Sequence, residues 1–150
     1  MEFLNLTALP LKKDFFEKIS ELVFEQENKK IDLGVVLVGR RRMRKLNRRF
    51  KGINKIVPEL EFKKEDIQKP TKKELKFFQK ELFGEVILSP SYIKELARRE
   101  KITFEENLGF WLIHGILHLL GYGHQDTKST SIMRKKEKEI LKLAKEKGYV

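Results

Sequence analysis

The 150-residue chain contains no cysteine and no long apolar run. Without cysteine it can form no disulfides and offers no thiolate metal ligands, so histidines and carboxylates must hold any metal. No apolar stretch reaches the length of a membrane helix, and residues 1–6 lack the basic-then-apolar order of a secretory signal. These absences predict a cytoplasmic protein with no membrane contact and no disulfide partner. The length predicts a single domain, residues 1–150.

Acidic residues are fewer than basic residues. The chain has 33 lysines and arginines against 22 aspartates and glutamates, a net charge of +11, and residues 40–55 hold nine basic residues and no acidic one. Such a block predicts a surface for a polyanion, with nucleic acid as the leading candidate; the alternative is a solvated helix face in a charge-rich chain. The candidate RNA-binding residues are Arg40, Arg41, Arg44, Arg48, Arg49 and Lys51.

All three histidines fall in one short window, at His114, His118 and His124. Residues four apart share one helix face, and Gly121 can adopt the left-handed conformation that ends a helix, so His124 can turn back toward the other two. Three protein ligands leave the fourth position of a tetrahedral Zn²⁺ open, which is typical of catalytic sites. The spacing predicts one zinc ion per chain, although another divalent transition metal such as Ni²⁺ also suits three imidazoles. A purely structural role is the alternative, but two buried imidazoles would then each need another partner.

Hydrophobic periodicity predicts strands interspersed with helices, hence an α/β (α+β) domain with a small mixed β-sheet packed by helices and the histidine helix at its centre. Strands are predicted at residues 3–6, 33–38, 56–62 and 86–88, the third confined to a sheet edge by Pro58. Helices are predicted from Pro10 to near Asn28, over the basic block up to Gly52 (with Met43, Leu46 and Phe50 buried), from Ser89 onward, at residues 104–120, and at the end of the chain, with Met133 in the core. A short helix or flap is predicted within residues 63–82, carrying Leu75, Phe77, Phe78 and Leu82.

The histidine spacing matches the metzincin protease motif His-Glu-x-x-His-x-x-Gly-x-x-His, whose glutamate is the general base. This chain has Gly115 at that position, and glycine cannot accept a proton. The metal ligands are therefore predicted without the protease's base, and a metalloprotease-like peptidase becomes an alternative function.

The run from His114 to His124, His-Gly-Ile-Leu-His-Leu-Leu-Gly-Tyr-Gly-His, closely resembles the signature of the YbeY family of metal-dependent endoribonucleases and rRNA maturation factors. The similarity extends to Leu46-Asn47 with Phe50-Lys51-Gly52, to Gly84-Glu85-Val86-Ile87, and to the closing helix with Met133 and Glu137. The resemblance implies a metalloprotease-like fold and a zinc-dependent, single-strand-specific endoribonuclease. It also implies a role in rRNA maturation (the 3′ end of 16S rRNA) and ribosome quality control, with RNA and the ribosome as partners.

Three positions depart from the family pattern. Gly123 stands where the family usually has Asp, Lys51 where it usually has Arg, and its Thr-Asp-Val-Leu-Ser-Phe strand appears only loosely, at residues 57–62. We predict His114, His118, His124 and Lys51 as the catalytic residues, with Lys51 neutralising the scissile phosphate as a point charge.

No general base is obvious from the sequence. The possible carboxylate partners of the site, each expected instead to be an ordinary surface or capping group, are Glu59, Glu61, Glu85 and Asp126. The second alternative function is a non-catalytic ribosome-binding factor with a structural metal site, which the departures at Lys51 and Gly123 favour. The chain is expected to be a monomer.

Overall fold

Four strands form one mixed sheet in the computed structural model, which describes residues 1–67 and 75–150. The strands are β1 (Glu2–Asn5), β2 (Leu33–Leu37), β3 (Glu59–Lys63) and β4 (Gly84–Leu88). Their order is β1-β2-β4-β3; β1, β2 and β4 run parallel, and β3 pairs antiparallel with β4 at the edge. The predicted α/β domain with a small mixed sheet is confirmed.

Five helices surround this sheet in the described residues: α1 (Lys13–Glu27), α2 (Arg40–Lys51), α3 (Pro90–Glu100), α4 (Phe104–Leu119) and α5 (Thr127–Glu146). Alternate strand residues point to opposite faces of a sheet. The face that carries Val35 and Val86 packs against α1, α3, α4 and α5 and is called the front face here. The back face, which carries Val36 and Ile87, packs against Met43 of α2. The histidine helix α4 lies against the front face and contacts α1, α3 and α5, so its predicted central position is confirmed.

The inner strands are apolar because both their faces are covered. β2 (Leu-Gly-Val-Val-Leu) and β4 (Gly-Glu-Val-Ile-Leu) are buried along their whole length. The third strand begins directly after Pro58, whose carbonyl accepts a hydrogen bond from the Ser89 amide at 3.0 Å. The strand was predicted from residue 56 but begins at Glu59, because it starts only after Pro58; its position at the sheet edge is the one that Pro58 predicts.

The basic block forms α2 as predicted, and Gly52 ends it with a φ of 70°. Its buried residues are Met43 and Asn47, however, whereas Leu46 and Phe50 are only half-buried. The prediction missed Asn47 because this polar side chain is buried for a hydrogen bond: its amide donates to the Lys55 carbonyl at 3.0 Å. That bond ties the segment after the helix back onto α2.

Two predicted elements differ from the structure. The first helix begins at Lys13 and not at Pro10, since residues 7–11 are irregular and are tied by Asn5 side-chain hydrogen bonds to Thr7 and Leu9. Within the predicted 63–82 helix or flap, the structure has a 3₁₀ turn at Lys64–Asp66 and irregular backbone at 75–82. Residues 68–74, on which part of this prediction falls, lie outside the described residues. Across residues 1–67 and 75–150, no helix is long and apolar enough to cross a membrane.

Candidate metal centre

The three predicted ligands converge at one point beside the front face. His114 and His118 lie one helical turn apart on α4, and His124 follows in the loop between α4 and α5. One ring nitrogen from each lies within 4.8 Å of the others. The ring centroids of His114 and His118 are 4.6 Å apart, and those of His118 and His124 are 4.9 Å apart. Since His124 is exposed and the other two are half-buried, the cluster opens toward solvent.

The first histidine is oriented by a carboxylate from the last helix. His114 Nδ1 lies 2.8 Å from Glu137 Oε2, and because a carboxylate only accepts, the imidazole donates through Nδ1 and leaves Nε2 with a lone pair. Glu137 is 4% exposed. The sequence contains a signal for this role, which our prediction missed: Glu137 lies on the buried stripe of α5 with Met133, Ile140 and Ala144.

The second histidine is oriented by the end of its own helix. His118 Nδ1 donates to the Tyr122 carbonyl at 2.9 Å, which again leaves Nε2 free. That carbonyl is placed by a Schellman turn: the Gly121 amide donates to the His118 carbonyl and the Tyr122 amide to the Leu117 carbonyl, both at 3.0 Å. Gly121 has a φ of 110°, as its predicted role requires. Burial, together with a hydrogen bond to Glu27, raises the pKa of the Tyr122 phenol to about 12.

Close packing explains why Gly115 replaces the protease glutamate. A Cβ at residue 115 would lie 2.7 Å from Glu59 Oε1 and 2.8 Å from Val86 Cγ1. Helix α4 therefore rests directly on β3 and β4 at this point, and only glycine fits. The space that a side chain at residue 115 would enter is taken by a carboxyl group from the edge strand.

Glu59 and Glu61 lie on the front face of β3, two residues apart and under α4. Glu59 is 9% exposed, so the expectation that it is an ordinary surface carboxylate is wrong. Burial raises the pKa of Glu59, as do the hydrogen bond with Glu61 and its charge; the positive charge of Lys51 opposes the shift. Helix α4 covers the face of β3 that carries Glu59 and Glu61.

Electrostatics also link the edge strand to the ligands. Burial lowers the pKa of His118; the Glu61 carboxylate opposes this shift, and His114 adds to it. A neutral imidazole is the form that binds a metal. Glu61 is thus close enough to His118 for its charge to affect the ligand cluster.

The other two candidate carboxylates have structural roles. Glu85 is fully buried but lies on the back face, away from the histidines, where Lys64 Nζ approaches its Oε1 to 2.7 Å. Burial raises the pKa of Glu85, and its hydrogen bond with Lys64 opposes that shift. Asp126 caps α5 by accepting the Ser129 amide hydrogen bond at 2.7 Å, which lowers the Asp126 pKa, so its expected capping role is confirmed.

Lys51 lies at the end of α2 nearest the site. It is exposed, its charge acts on Glu59, and it lines a cavity of about 230 Å³ together with Glu61 and Phe62. The structure therefore places this predicted phosphate-binding residue beside the carboxylates under α4. Its catalytic role stays a prediction.

The remaining basic residues of α2 are spread along the helix. Arg40 is held by α3, with its guanidinium 2.7 Å from Glu95 Oε2 and a further bond to the Ser91 hydroxyl at 3.1 Å. Arg44 donates to the Asn54 side chain at 2.8 Å. Arg48 and Arg49 line a groove of about 810 Å³ beside the back face. RNA binding by these residues and by exposed Arg41 stays a prediction, with Arg40 engaged within the protein.

At Gly123 a Cβ would meet only the amide end of the exposed Gln125 side chain, which can rotate away. Packing does not explain the glycine in place of the family's aspartate.

The donor set fits a single transition-metal ion. Two of the imidazoles have Nδ1 bound to an acceptor, so their free donors are Nε2 lone pairs, and a third imidazole completes the cluster at 4.8 Å or less. Among the described residues, these three histidines form the one group of three metal-ligating side chains whose ligand atoms lie this close together. Zinc prefers nitrogen donors of this kind in a tetrahedral arrangement.

Comparison with known proteins gives one consistent result. The family model described as Endoribonuclease YbeY matches residues 7–145. A relative from Mesomycoplasma hyopneumoniae, named Endoribonuclease YbeY, is 32% identical over 144 residues, which cover 94% of this chain and 93% of the relative. A relative of the same name from Neorickettsia sennetsu is 36% identical over 77% of this chain and 75% of its own length. A solution structure of a Thermotoga maritima protein superposes with a TM-score of 0.62 at 27% identity and covers 93% of this chain and 85% of that one.

Proposed function

The chain belongs to the Endoribonuclease YbeY family, and on that premise we propose that it is a zinc-dependent endoribonuclease that cuts single-stranded RNA. The proposal extends to its setting: a single-domain, monomeric, cytoplasmic enzyme that matures the 3′ end of 16S rRNA and takes part in ribosome quality control. The proposed metal chemistry is supported by the convergence of His114, His118 and His124. The Nδ1 atoms of the first two are hydrogen-bonded within the protein, which leaves their Nε2 atoms for a metal.

The three histidines would hold the ion through their free ring nitrogens. When bound, zinc supplies Lewis-acid chemistry: it acidifies a water molecule and polarises a phosphoryl oxygen. The family resemblance does not fix the metal, and Ni²⁺ suits the same three imidazoles.

The protein's own groups orient the ligands and the substrate. Glu137 and the Tyr122 carbonyl keep the two helix histidines in the tautomer that presents Nε2. Lys51 neutralises charge on the scissile phosphate, and the exposed arginines of α2 bind neighbouring phosphates along the strand. The cluster opens to solvent beside His124, which leaves room for a flexible RNA strand.

The test uses the zinc-loaded full chain, an end-labelled single-stranded RNA, the same sequence as a duplex, and an unstructured peptide. We expect cleavage of the single strand, loss of cleavage with a chelator or in His118→Ala, and no cleavage of the peptide. Glu105→Ala is the matched control, since Glu105 is exposed in the first turn of the same helix. An RNA spanning the 3′ end of 16S rRNA then tests the site of cleavage.

Two outcomes would contradict the proposal. Peptide cleavage would restore the metalloprotease alternative, against which Gly115 argues. RNA binding without cleavage, retained in His118→Ala, would support the non-catalytic ribosome-binding factor. Metal analysis of the purified protein, followed by reloading with Zn²⁺ or Ni²⁺, identifies the ion that supports cleavage.

A further inference from the structure

The edge strand supplies two carboxyl groups at the place where the protease motif has its glutamate. Glu59 and Glu61 pair with Leu88 and Val86 of β4 and share the front face with α4. The missing side chain of Gly115 leaves room for Glu59, whose Oε1 lies 2.7 Å from the position of a Cβ there. A carboxyl group from β3 thus reaches the residue that follows the first ligand, His114.

The buried member of this pair is incompletely satisfied. Glu59 is 9% exposed, and its Oε1 has no hydrogen-bond partner among residues 1–67 and 75–150. A buried polar atom without a hydrogen-bond partner costs free energy. Glu85 Oε2 and the Ser89 hydroxyl also lack a partner among the described residues, so the location of the Glu59 atom, and not its missing partner alone, identifies its role. Its position under the ligand helix points to the metal centre.

The second member lies farther along β3 in the direction of His118. Glu59 lies beside Gly115, and Gly84, which pairs with Lys63, lies against Leu119, so Glu61 is between these two points. The Glu59 and Glu61 carboxyl groups lie close enough for a hydrogen bond, and this contact adds to the raised pKa of Glu59. Glu61 is half-buried and acts electrostatically on His118. Glu59 therefore holds one end of the pair inside the protein while Glu61 presents charge toward the cluster.

We propose that Glu61 is a further functional residue of this metal centre, whose carboxylate charge strengthens cation binding by the three histidines, and that Glu59 is the residue that positions it. A negative charge beside neutral imidazoles favours a divalent cation over the empty site. The inference rests on the proposed metal centre but not on RNA cleavage.

The first test measures Zn²⁺ affinity by competition with a chromophoric chelator. We expect Glu61→Gln, which removes the charge and keeps the shape, to bind Zn²⁺ on the order of tenfold more weakly than the wild type. Glu65→Gln is the matched control, because Glu65 is an exposed glutamate two residues beyond the end of β3. Wild-type affinity in Glu61→Gln would overturn the proposal.

The positioning role is tested at Glu59. Glu59→Gln keeps a donor for Glu61 and should retain Zn²⁺ affinity close to that of the wild type. Glu59→Leu loses the hydrogen bond and should bind about as weakly as Glu61→Gln. In the Glu61→Gln background, the same Leu substitution should then have little further effect.

Two controls keep these results interpretable. Melting temperatures with chelator show whether each variant folds. If Glu59→Leu does not fold, Glu59→Ala, which also removes the hydrogen bond, takes its place. Wild-type affinity in a folded Glu59→Leu would overturn the positioning role. If the wild type binds zinc but cuts no RNA, the proposed function fails while the role of Glu61 can still hold. If Glu61→Gln binds zinc as tightly as the wild type and RNA is cut, the role of Glu61 fails and the proposed function holds.

Discussion

Two buried glutamates lie on neighbouring strands of the sheet, and they differ in whether a cation lies beside the carboxyl group. Glu85, on the back face of β4, is fully buried with Lys64 Nζ at 2.7 Å. Glu59, on the front face of β3, is nearly as buried, but the described residues place no cation at ion-pair distance from it. Burial raises the pKa of both carboxyls, and the Lys64 hydrogen bond and charge oppose that shift at Glu85.

The presence or absence of a paired cation indicates which of the two glutamates has a structural role and which serves the site. A buried charge that is paired locally is tolerated, whereas removal of its partner is strongly destabilising. A buried carboxyl held only by a second carboxyl costs stability, and proteins keep such groups mainly where they serve a site. Accordingly, substitutions at the Lys64–Glu85 pair on the back face should lower the free energy of unfolding. Substitutions at the front-face site should instead weaken metal binding.

The largest expected effect is on the front face. His118→Ala removes one of three ligands, about a third of a binding free energy near 10 kcal/mol, so Zn²⁺ affinity should fall on the order of a few hundredfold. Glu85→Gln, on the other face, should leave Zn²⁺ affinity unchanged. Chelator competition measures both variants, and a large loss in Glu85→Gln would break the comparison.

The next effect is on the back face. Lys64→Met leaves the Glu85 carboxylate buried without its cation and should lower the free energy of unfolding by about 3 kcal/mol or more. Urea denaturation in the presence of chelator measures this loss. Lys76→Met, at an exposed lysine, is the control and should be nearly neutral. Equal stability in the two variants would show that the Lys64–Glu85 pair contributes little.

A smaller change in stability, of opposite sign, is expected when Glu59 is substituted in the metal-free protein. Its folded-state pKa lies above the ordinary value of 4.5, so the folded state binds a proton more tightly than the unfolded state. Stability should therefore be lost as the pH rises from 4.5 through the raised pKa. Glu59→Gln lacks this loss and should melt at a higher temperature than the wild type at pH 7, with the difference shrinking toward pH 4.5.

Thermal melts across that range, with chelator present, test this prediction. Glu65→Gln, at an exposed glutamate, serves as the control for the substitution itself. A Glu59→Gln variant that is less stable than the wild type at pH 7 would show that the buried carboxyl contributes to stability.

The smallest effect concerns Lys51, which connects the basic helix of the back face to the front-face site. Lys51→Ala removes one phosphate contact, so the slope of log K for RNA against log salt should change by about 1. Lys51→Arg should retain the slope and add a bidentate contact. Arg40→Ala should change the slope less than Lys51→Ala, because Arg40 is engaged with Glu95. Equal changes would place RNA along the whole of α2.

Much of the architecture was predictable because it rests on local patterns. The basic helix ending at Gly52 and the histidine helix were predicted close to their observed bounds. The edge strand was predicted from residue 56 and begins at Glu59. The start of α1 and the burial of Asn47 were not, since both depend on side-chain hydrogen bonds that no periodicity reveals.

Part of the site was predictable for the same reason. The spacing of His114, His118 and His124 on a helix and a glycine turn is a local geometric property. The groups around those ligands were missed or misjudged. Glu137 comes from another helix, and Glu59, expected to be a surface carboxylate, comes from an edge strand that α4 covers.

The sequence by itself determined the ligand set, the excess of positive charge and the absence of the protease's base at Gly115. These are properties of residue identity and of spacing over a few residues. Only the tertiary structure decided that α4 rests on the edge strand so closely that glycine is required, and that the Glu59 carboxyl fills the space this leaves. The reason is physical: the pKa and the partner of a carboxyl group depend on which surfaces bury it, and burial is settled by packing between elements far apart in the chain.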